Sequence, residues 1–350
     1  MRKFINKFLF IINIILLFSL ITSYISPFID PSFIWPLAFS GLLFPIILFA
    51  NLLFLVYWMF FNKKFMITNL VILLISLPYL SRYISFHSTT ETKENSVKIM
   101  SYNVRLFNAW GWTNDNNIDN KIIDFLNSED VDILCIQEYY NPKEKLKFNF
   151  KYSYTGCQKK KSESHMAIYS NYPQINMQTV EIKGRKMNNT CIYSDIKIND
   201  DTIRVYNIHL ASNFFSRSDV NFLKSPILEN EKITAGIVGI VRRLKRSFVK
   251  RSEEVNDIKH HMESSLYPIV VCGDFNDTPV SYAYRELSKG KKDAFTNSGN
   301  GIGTTYAKIP SLRIDYILHD KKFSSFNYKQ HKPKQELSDH YAISTELSIP

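Results

Sequence analysis

Cysteine is scarce in this chain, and acid is nearly missing from its first quarter. Four cysteines serve 350 residues, all after residue 86, and no CxxC or Cys/His zinc spacing occurs, so a structural zinc module is excluded. Cys135 and Cys272 fall inside apolar runs, where a free thiol behaves as a small apolar residue. Pairing of Cys157 with Cys191 is left open by their spacing. No internal repeat and no low-complexity segment is present. Residues 1–86 hold one acidic residue, Asp30, against six Lys/Arg, and the rest of the chain holds 37 basic and 31 acidic residues. That mild excess does not coat nucleic acid, but it suits phosphate-bearing or membrane-surface partners.

What the first 86 residues contain is long runs without charge: Phe8 to Ile29, Pro31 to Asn62 and Phe65 to Ser81. A helix crosses a bilayer with roughly 20 apolar residues, so three transmembrane α-helices are expected, at about 8–29, 36–61 and 65–81. No small-residue cleavage site follows the first, which sets aside a signal peptide. The runs carry no internal charge, which argues against an ion pathway and for anchoring. Arg2, Lys3, Lys7, Lys63 and Lys64 flank the runs on one side, and the intervening loop has only Asp30. Basic loops stay in the cytoplasm, so residues beyond 86 are expected on the exoplasmic or periplasmic side. The expected organisation is an anchor at 1–86, a linker at 87–95 and a soluble domain at 96–350.

From Ser96 onward, short apolar strands alternate with turns and helices. Strands are expected at Val97–Tyr102, Ile133–Gln137, Met166–Ser170, Cys191–Ile198, Ile203–Ile208, Ile269–Cys272, Ile314–Leu318 and Ala342–Leu347. Ile118–Asn127 reads as a helix, as does a long stretch in which Val241, Leu244, Phe248, Val255, Ile258 and Met262 recur at helical spacing. Mixed sheets packed face to face, with helices outside, fit this order. The basic run Arg242, Arg243, Lys245, Arg246, Lys250, Arg251 reads as a solvated helix face or as a surface for anionic lipid or nucleic acid. The Lys159–Lys161 cluster reads as an exposed loop.

Several of these strands end on polar residues. "IMSYNVRLFN" ends on Asn103, "VDILCIQEYY" on Gln137 and Glu138, and "RVYNIHLAS" on Asn207 and His209. "VVCGDFNDTP" supplies Asp274 and Asn276, "SLRIDYIL" supplies Asp315, and "LSDHYAI" supplies Asp339 and His340. Any one of them is ordinarily a turn residue. Six such places beside buried strands are not explained as turns.

In this order the residues resemble the endonuclease/exonuclease/phosphatase superfamily over about 96–350. The resemblance implies a DNase I-like four-layer α/β sandwich, two packed mixed β-sheets flanked by helices. It also implies Mg²⁺-dependent (or Mn²⁺-dependent) attack of water on a phosphoester of nucleic acid or a phospholipid head group. Glu138 is then the direct metal ligand, with Asn103 and Asp339 orienting the metal's shell. Asp274 is the base, Asn276 orients the water, and His340 is a donor whose other nitrogen Asp315 holds. His209 is a second donor, supported by Asn207. Arg105 stands where some nuclease branches carry an acid, and is expected to contact substrate phosphate or to pair with a carboxylate. An inactive membrane-anchored binding domain of the same fold is the alternative, and no gap among the catalytic residues supports it.

Overall fold

The computed structural model describes residues 2–89, 96–140, 146–156, 165–184, 190–213 and 230–349. Most of the expected linker (90–95), Cys157 and the Lys159–Lys161 cluster lie outside the described residues. The chain divides into two compact units, the first Met1–Tyr79 with Ala211–Val255 and Val280–Arg285, the second Leu80–Leu210 with Asn256–Pro279 and Glu286–Pro350.

The first unit is helical. Helices α1 (Arg2–Ile25), α2 (Pro31–Ile34), α3 (Pro36–Leu42), α4 (Phe44–Phe61), α5 (Lys63–Leu74) and α6 (Leu77–Leu80) follow one another. Two helices, not the expected three, are long and apolar enough to cross a membrane: Phe4–Phe28 and Phe44–Phe61. Prolines cause the difference. A proline removes one helical hydrogen bond and its ring crowds the carbonyl four residues earlier. Pro45 thus separates α3 from α4 at Leu43, and Pro78 ends α5 at Leu74, so the expected 36–61 and 65–81 helices are each broken. The bundle is tied by side chains that read in the sequence as scattered. Asn13 and Asn69 exchange amide hydrogen bonds at 3.0 and 2.9 Å, and Trp58 Nε1 donates to Asn13 Oδ1 at 2.9 Å. Buried amides that pair with each other fix helix neighbours without leaving an unsatisfied group.

The second unit is built on two sheets of six strands, beside a short two-stranded ladder of β1 (Ile84–Phe86) with β11 (Asn300–Ile302). One has the order β13 (Ser324–His331), β14 (Ala342–Ser348), β2 (Ser96–Asn103), β3 (Ile133–Tyr139), β5 (His165–Ser170), β4 (Tyr152–Gly156). The other has the order β10 (Lys291–Asp293), β12 (Asp315–Asp320), β9 (Ile269–Asp274), β8 (Asp201–His209), β7 (Cys191–Ile198), β6 (Gln174–Thr179). Alternate residues of both sheets form one core, among them Ile99, Cys135, Ile168, Val205, Cys272 and Ile317. Helix α7 (Ile118–Ser128) buries Ile118, Ile122, Ile123 and Leu126 in a second cluster with Met100, Leu134 and Ile136. On the other outer face Tyr206 bonds His261 at 2.9 Å, from the end of α8 (Asn230–Glu263). Helix, sheet, sheet and helix make the expected four layers.

Each sheet holds one parallel pair, β2 with β3 and β8 with β9. A parallel pair needs a crossover, so all four strands end on the same side as one another within their pair. The register aligns His209 with Asp274 and Asp274 with Asp315 across three strands. Asn207 joins the two sheets. Its Nδ2 donates to Ile136 O at 2.8 Å and Ala167 O at 2.9 Å, and its Oδ1 accepts from Gln137 Nε2 at 2.7 Å. Replacing Asn207 by Leu removes all three bonds; Gln137 Nε2 keeps Ser101 Oγ at 3.1 Å, and each buried group left without a partner costs roughly 1–3 kcal/mol. The thermal midpoint of the full-length variant in detergent is therefore expected to fall by several degrees, a loss that a substitution on the exposed face of α7 does not produce.

Candidate active site

Asp274 is the centre of the site. It ends β9 after Gly273, whose φ is 144° and where a Cβ would sit 1.9 Å from Ile208 O. Only glycine lets β8 and β9 approach that closely. The Asp274 carboxylate accepts from Asn276 N at 2.8 Å, from Asn276 Nδ2 at 3.1 Å and from Asn103 Nδ2 at 3.1 Å. Asn276 is itself held by Leu210 O at 3.0 Å. Burial pushes the Asp274 carboxyl up to about 6, against the pull of His340 and His209.

His340 lies 3.8 Å from Asp274 through Nε2, and its Nδ1 faces Asp315 at 3.0 and 3.1 Å. Burial alone would favour the neutral ring. Asp315 and then Asp274 outweigh it and raise the imidazole to about 10, so an imidazolium stands between two carboxylates. Thr305 Oγ1 accepts from the backbone N–H groups of Ile314 and Asp315, at 2.9 and 3.0 Å, and fixes where Asp315 begins its strand. Tyr306 packs edge-on against His340, with centroids 5.3 Å apart.

Glu138 reaches the same place from the other sheet. One extra residue in β3 between Ile136 and Tyr139 makes a bulge against β5, and Glu138 takes a φ of 51°. Bulges beside active sites re-aim a side chain. Its Oε1 accepts from Asn103 Nδ2 at 3.2 Å and lies 3.8 Å from His209 Nε2, which is also 3.8 Å from Asp274. His209 Nε2 is buried with no hydrogen-bond partner among the described residues. Immediately after Asn103, Arg105 to Asn108 form a left-handed turn with φ of 47, 56, 50 and 60°. That conformation costs on the order of 1–2 kcal/mol per non-glycine residue. It turns Arg105 back to Asp339 at 3.3 Å and lays its guanidinium over Trp112 at 4.6 Å. Ser338 Oγ donates to Asn103 O at 2.7 Å.

The structure thus brings Asn103, Glu138, His209, Asp274, Asn276, Asp315 and His340 into one linked set, with Arg105 and Asp339 paired beside Asn103. Asn207 stands apart, because its amide is spent between the sheets. Sequence reasoning gave no role to Thr305, Tyr306, Gln137 or Ser338, although each stands in or beside a stretch that carries site residues.

Two groups offer metal ligands. Ligand atoms of Asp274, Asp315 and His340 lie within 4.8 Å of one another, but an imidazolium has no free lone pair to give a metal. Glu138 and Asn103 fit a hard divalent ion better. Their donors are oxygens, the Glu138 side chain is 28% exposed, and among the described residues no Lys or Arg lies within 4.0 Å of its carboxylate.

Comparison with known proteins agrees with this geometry. The sequence model of the Endonuclease/Exonuclease/phosphatase family matches residues 100–340, and that of a domain of unknown function (DUF8431) matches residues 6–83. No curated protein matches. Among solved structures, the mannosyl-6-phosphatase Bt3783 of Bacteroides thetaiotaomicron is 15% identical, with a TM-score of 0.53 over 73% of this chain and 100% of that one. A second protein from Bacteroides thetaiotaomicron, described as an endonuclease/exonuclease/phosphatase family protein, is 17% identical, with a TM-score of 0.53 over 73% and 98%. The human Nocturnin catalytic domain with bound sulfate is 13% identical, with a TM-score of 0.52 over 75% and 97%. Identities this low establish the shared fold. With the family match covering well over half of its length, the chain belongs to the endonuclease/exonuclease/phosphatase family.

Proposed function

We propose that the protein is a membrane-anchored, divalent-metal-dependent phosphoester hydrolase whose substrate is a phosphodiester, in nucleic acid or a phospholipid head group. The observation that carries this reading is the buried row Asp315–His340–Asp274 beside the part-exposed Glu138, which the buried Asn103 holds. Asp274 has a proton affinity raised toward working pH and takes the proton of the attacking water, which Asn276 orients. His340, kept charged by Asp315, donates to a non-bridging phosphoryl oxygen, and His209 donates through its unpartnered Nε2. Arg105 meets substrate phosphate from its seat on Trp112. Glu138, with Asn103 and Asp339, would hold Mg²⁺ or Mn²⁺, whose charge would there supply stabilisation of the developing negative charge. Asn207 fixes the strand that carries His209.

The test uses the full chain in detergent, because Ala211–Val255 shares a unit with the anchor helices. Plasmid DNA, sphingomyelin, phosphatidylinositol and a phosphomonoester are assayed with Mg²⁺ and with EDTA. Metal-dependent turnover is expected on one class, reduced about 10²–10⁴-fold by His340→Gln and by Asp274→Asn. Asp274→Asn is expected to keep or raise the thermal midpoint, since it removes a buried charge. No metal-dependent turnover on any of the four would overturn this reading in favour of an inactive binding domain.

The pH profile follows from the two shifted groups. The base works ionised, so kcat/KM rises as pH climbs through about 6, with bound cation pulling this limb lower. The donor works protonated, so activity falls as pH climbs through about 10. Asp315→Asn removes the strongest support for the imidazolium, and the alkaline limb is expected to move to lower pH. An unmoved limb would show that Asp315 does not act through His340.

The broken third segment is read as a third crossing. Tyr24 donates to Ile72 O at 2.9 Å and Tyr79 to Tyr24 O at 3.0 Å, while Asn69 pairs with Asn13. The α5–α6 segment therefore runs beside α1 from its middle to its C-terminal end. Three crossings put residues beyond 86 on the exoplasmic side. A His87→Cys variant should react with an impermeant thiol reagent on intact cells; reaction only after permeabilisation would mean two crossings.

A further inference from the structure

The first part of α8 carries a surface that phosphoester hydrolysis does not use. From Ala235 to Ser252 there are six Lys or Arg and no Asp or Glu. Arg242, Lys245, Arg246 and Lys250 are exposed, and Leu244 and Phe248 are buried. At 100° per residue the four exposed bases occupy one sector of roughly 140°, separate from the buried stripe. Val238, on the same sector, is 47% exposed. Among the described residues no carboxylate lies within 4.0 Å of Arg242, Arg246 or Lys250.

The helix is seated within the first unit on the connection between α1 and α4. Phe248 meets Phe39 edge-on at 5.2 Å, and Lys245 Nζ sits 5.2 Å over the Trp35 ring. That connection carries Phe33 at 83% and Ile34 at 49% exposure. A loop joining two membrane-crossing helices lies at the bilayer face, where Trp is enriched on either side of the membrane. The basic sector begins at the lysine that covers this tryptophan.

We propose that α8 lies in the headgroup layer, its Arg242–Lys250 face on anionic lipid and Val238 dipping toward the acyl region. This rests on the membrane-anchored reading above and adds a lipid requirement to it. A nucleic-acid groove is the competing occupant. The contact with Trp35, in the loop between two apolar spans, favours lipid.

The experiment is hydrogen exchange on the full-length protein in nanodiscs of phosphatidylcholine alone and of phosphatidylcholine with phosphatidylglycerol. A basic side chain near an anionic surface gains about fivefold in binding, so amides of residues 237–250 are expected to exchange roughly tenfold or more slower in the anionic discs. Arg242→Gln, Arg246→Gln and Lys250→Gln together should erase the difference and leave the neutral-disc rates alone. None of the three belongs to the catalytic set, so hydrolysis of a soluble phosphodiester should persist. Equal exchange in both discs, for a protein that resists alkaline carbonate extraction, would overturn the lipid face while sparing the anchor. Extraction by carbonate would instead defeat the anchored reading. Protection of 237–250 by a single-stranded oligonucleotide, with none from anionic lipid, would assign the face to nucleic acid and overturn the proposal.

Discussion

The second unit is organised around the burial of three charges in a row. Asp274, Asp315 and His340 are 1, 2 and 7% exposed, and an isolated ion so buried costs several kcal/mol. Each therefore needs partners held at fixed distance. The row has one cation for two anions, and hydrogen bonds from Asn276 and Asn103 to Asp274 supply the remaining stabilisation of negative charge. Those donors come from different sheets, so the row is stable only where the sheets are correctly packed. The strand register that sets Asp274 beside both His209 and Asp315 is thus a requirement of electrostatics as much as of pairing.

Strain is concentrated around the same row. Glu138 and Asn276 have φ of 51 and 52°, and Arg105 to Asn108 continue the left-handed pattern. Such backbone persists only when its surroundings fix it. Here the bulge in β3 begins directly after Ile136, whose carbonyl accepts from Asn207 of the other sheet. The group that clamps the sheets therefore stands at the edge of the bulge, two positions before His209. Distortion at Glu138 and the placement of His209 are parts of one local solution.

The interior was legible in the sequence and the margins were not. All eight expected strands are present to within a few residues, because buried strands are continuous apolar runs with β-branched residues. Strands β1, β4, β6, β10, β11 and β13 were missed. YSYTG, QINMQT and SSFNYKQH are polar sequences that lie at sheet edges, where exposed polar side chains guard against pairing with other chains. The site residues stood out because each is polar at the end of an apolar strand. Asn207 shares that signature yet serves the core, since a sequence does not say which sheet face an amide serves. Hydropathy marked the apolar runs but not where Pro45 and Pro78 interrupt them.

The chain passes into the helical unit on both sides of the Asp274 strand. Leu210 N donates to Asp274 O, and Leu210 O accepts from Asn276; the next residue, Ala211, already belongs to the helical unit. The chain leaves for that unit again at Val280, directly after the turn that follows Asn276. Within the helical unit these returning segments are closely fitted. A Cβ at Gly41 would lie 2.2 Å from Val280 O, and Arg285 stacks on Phe28 at 4.5 Å. Truncating the first 86 residues would expose Phe248 and the backbone at Val280, segments joined covalently to both sides of the Asp274 strand. Within the helical unit the first 79 residues are accordingly packing partners of the two segments that the chain returns there on either side of the Asp274 strand.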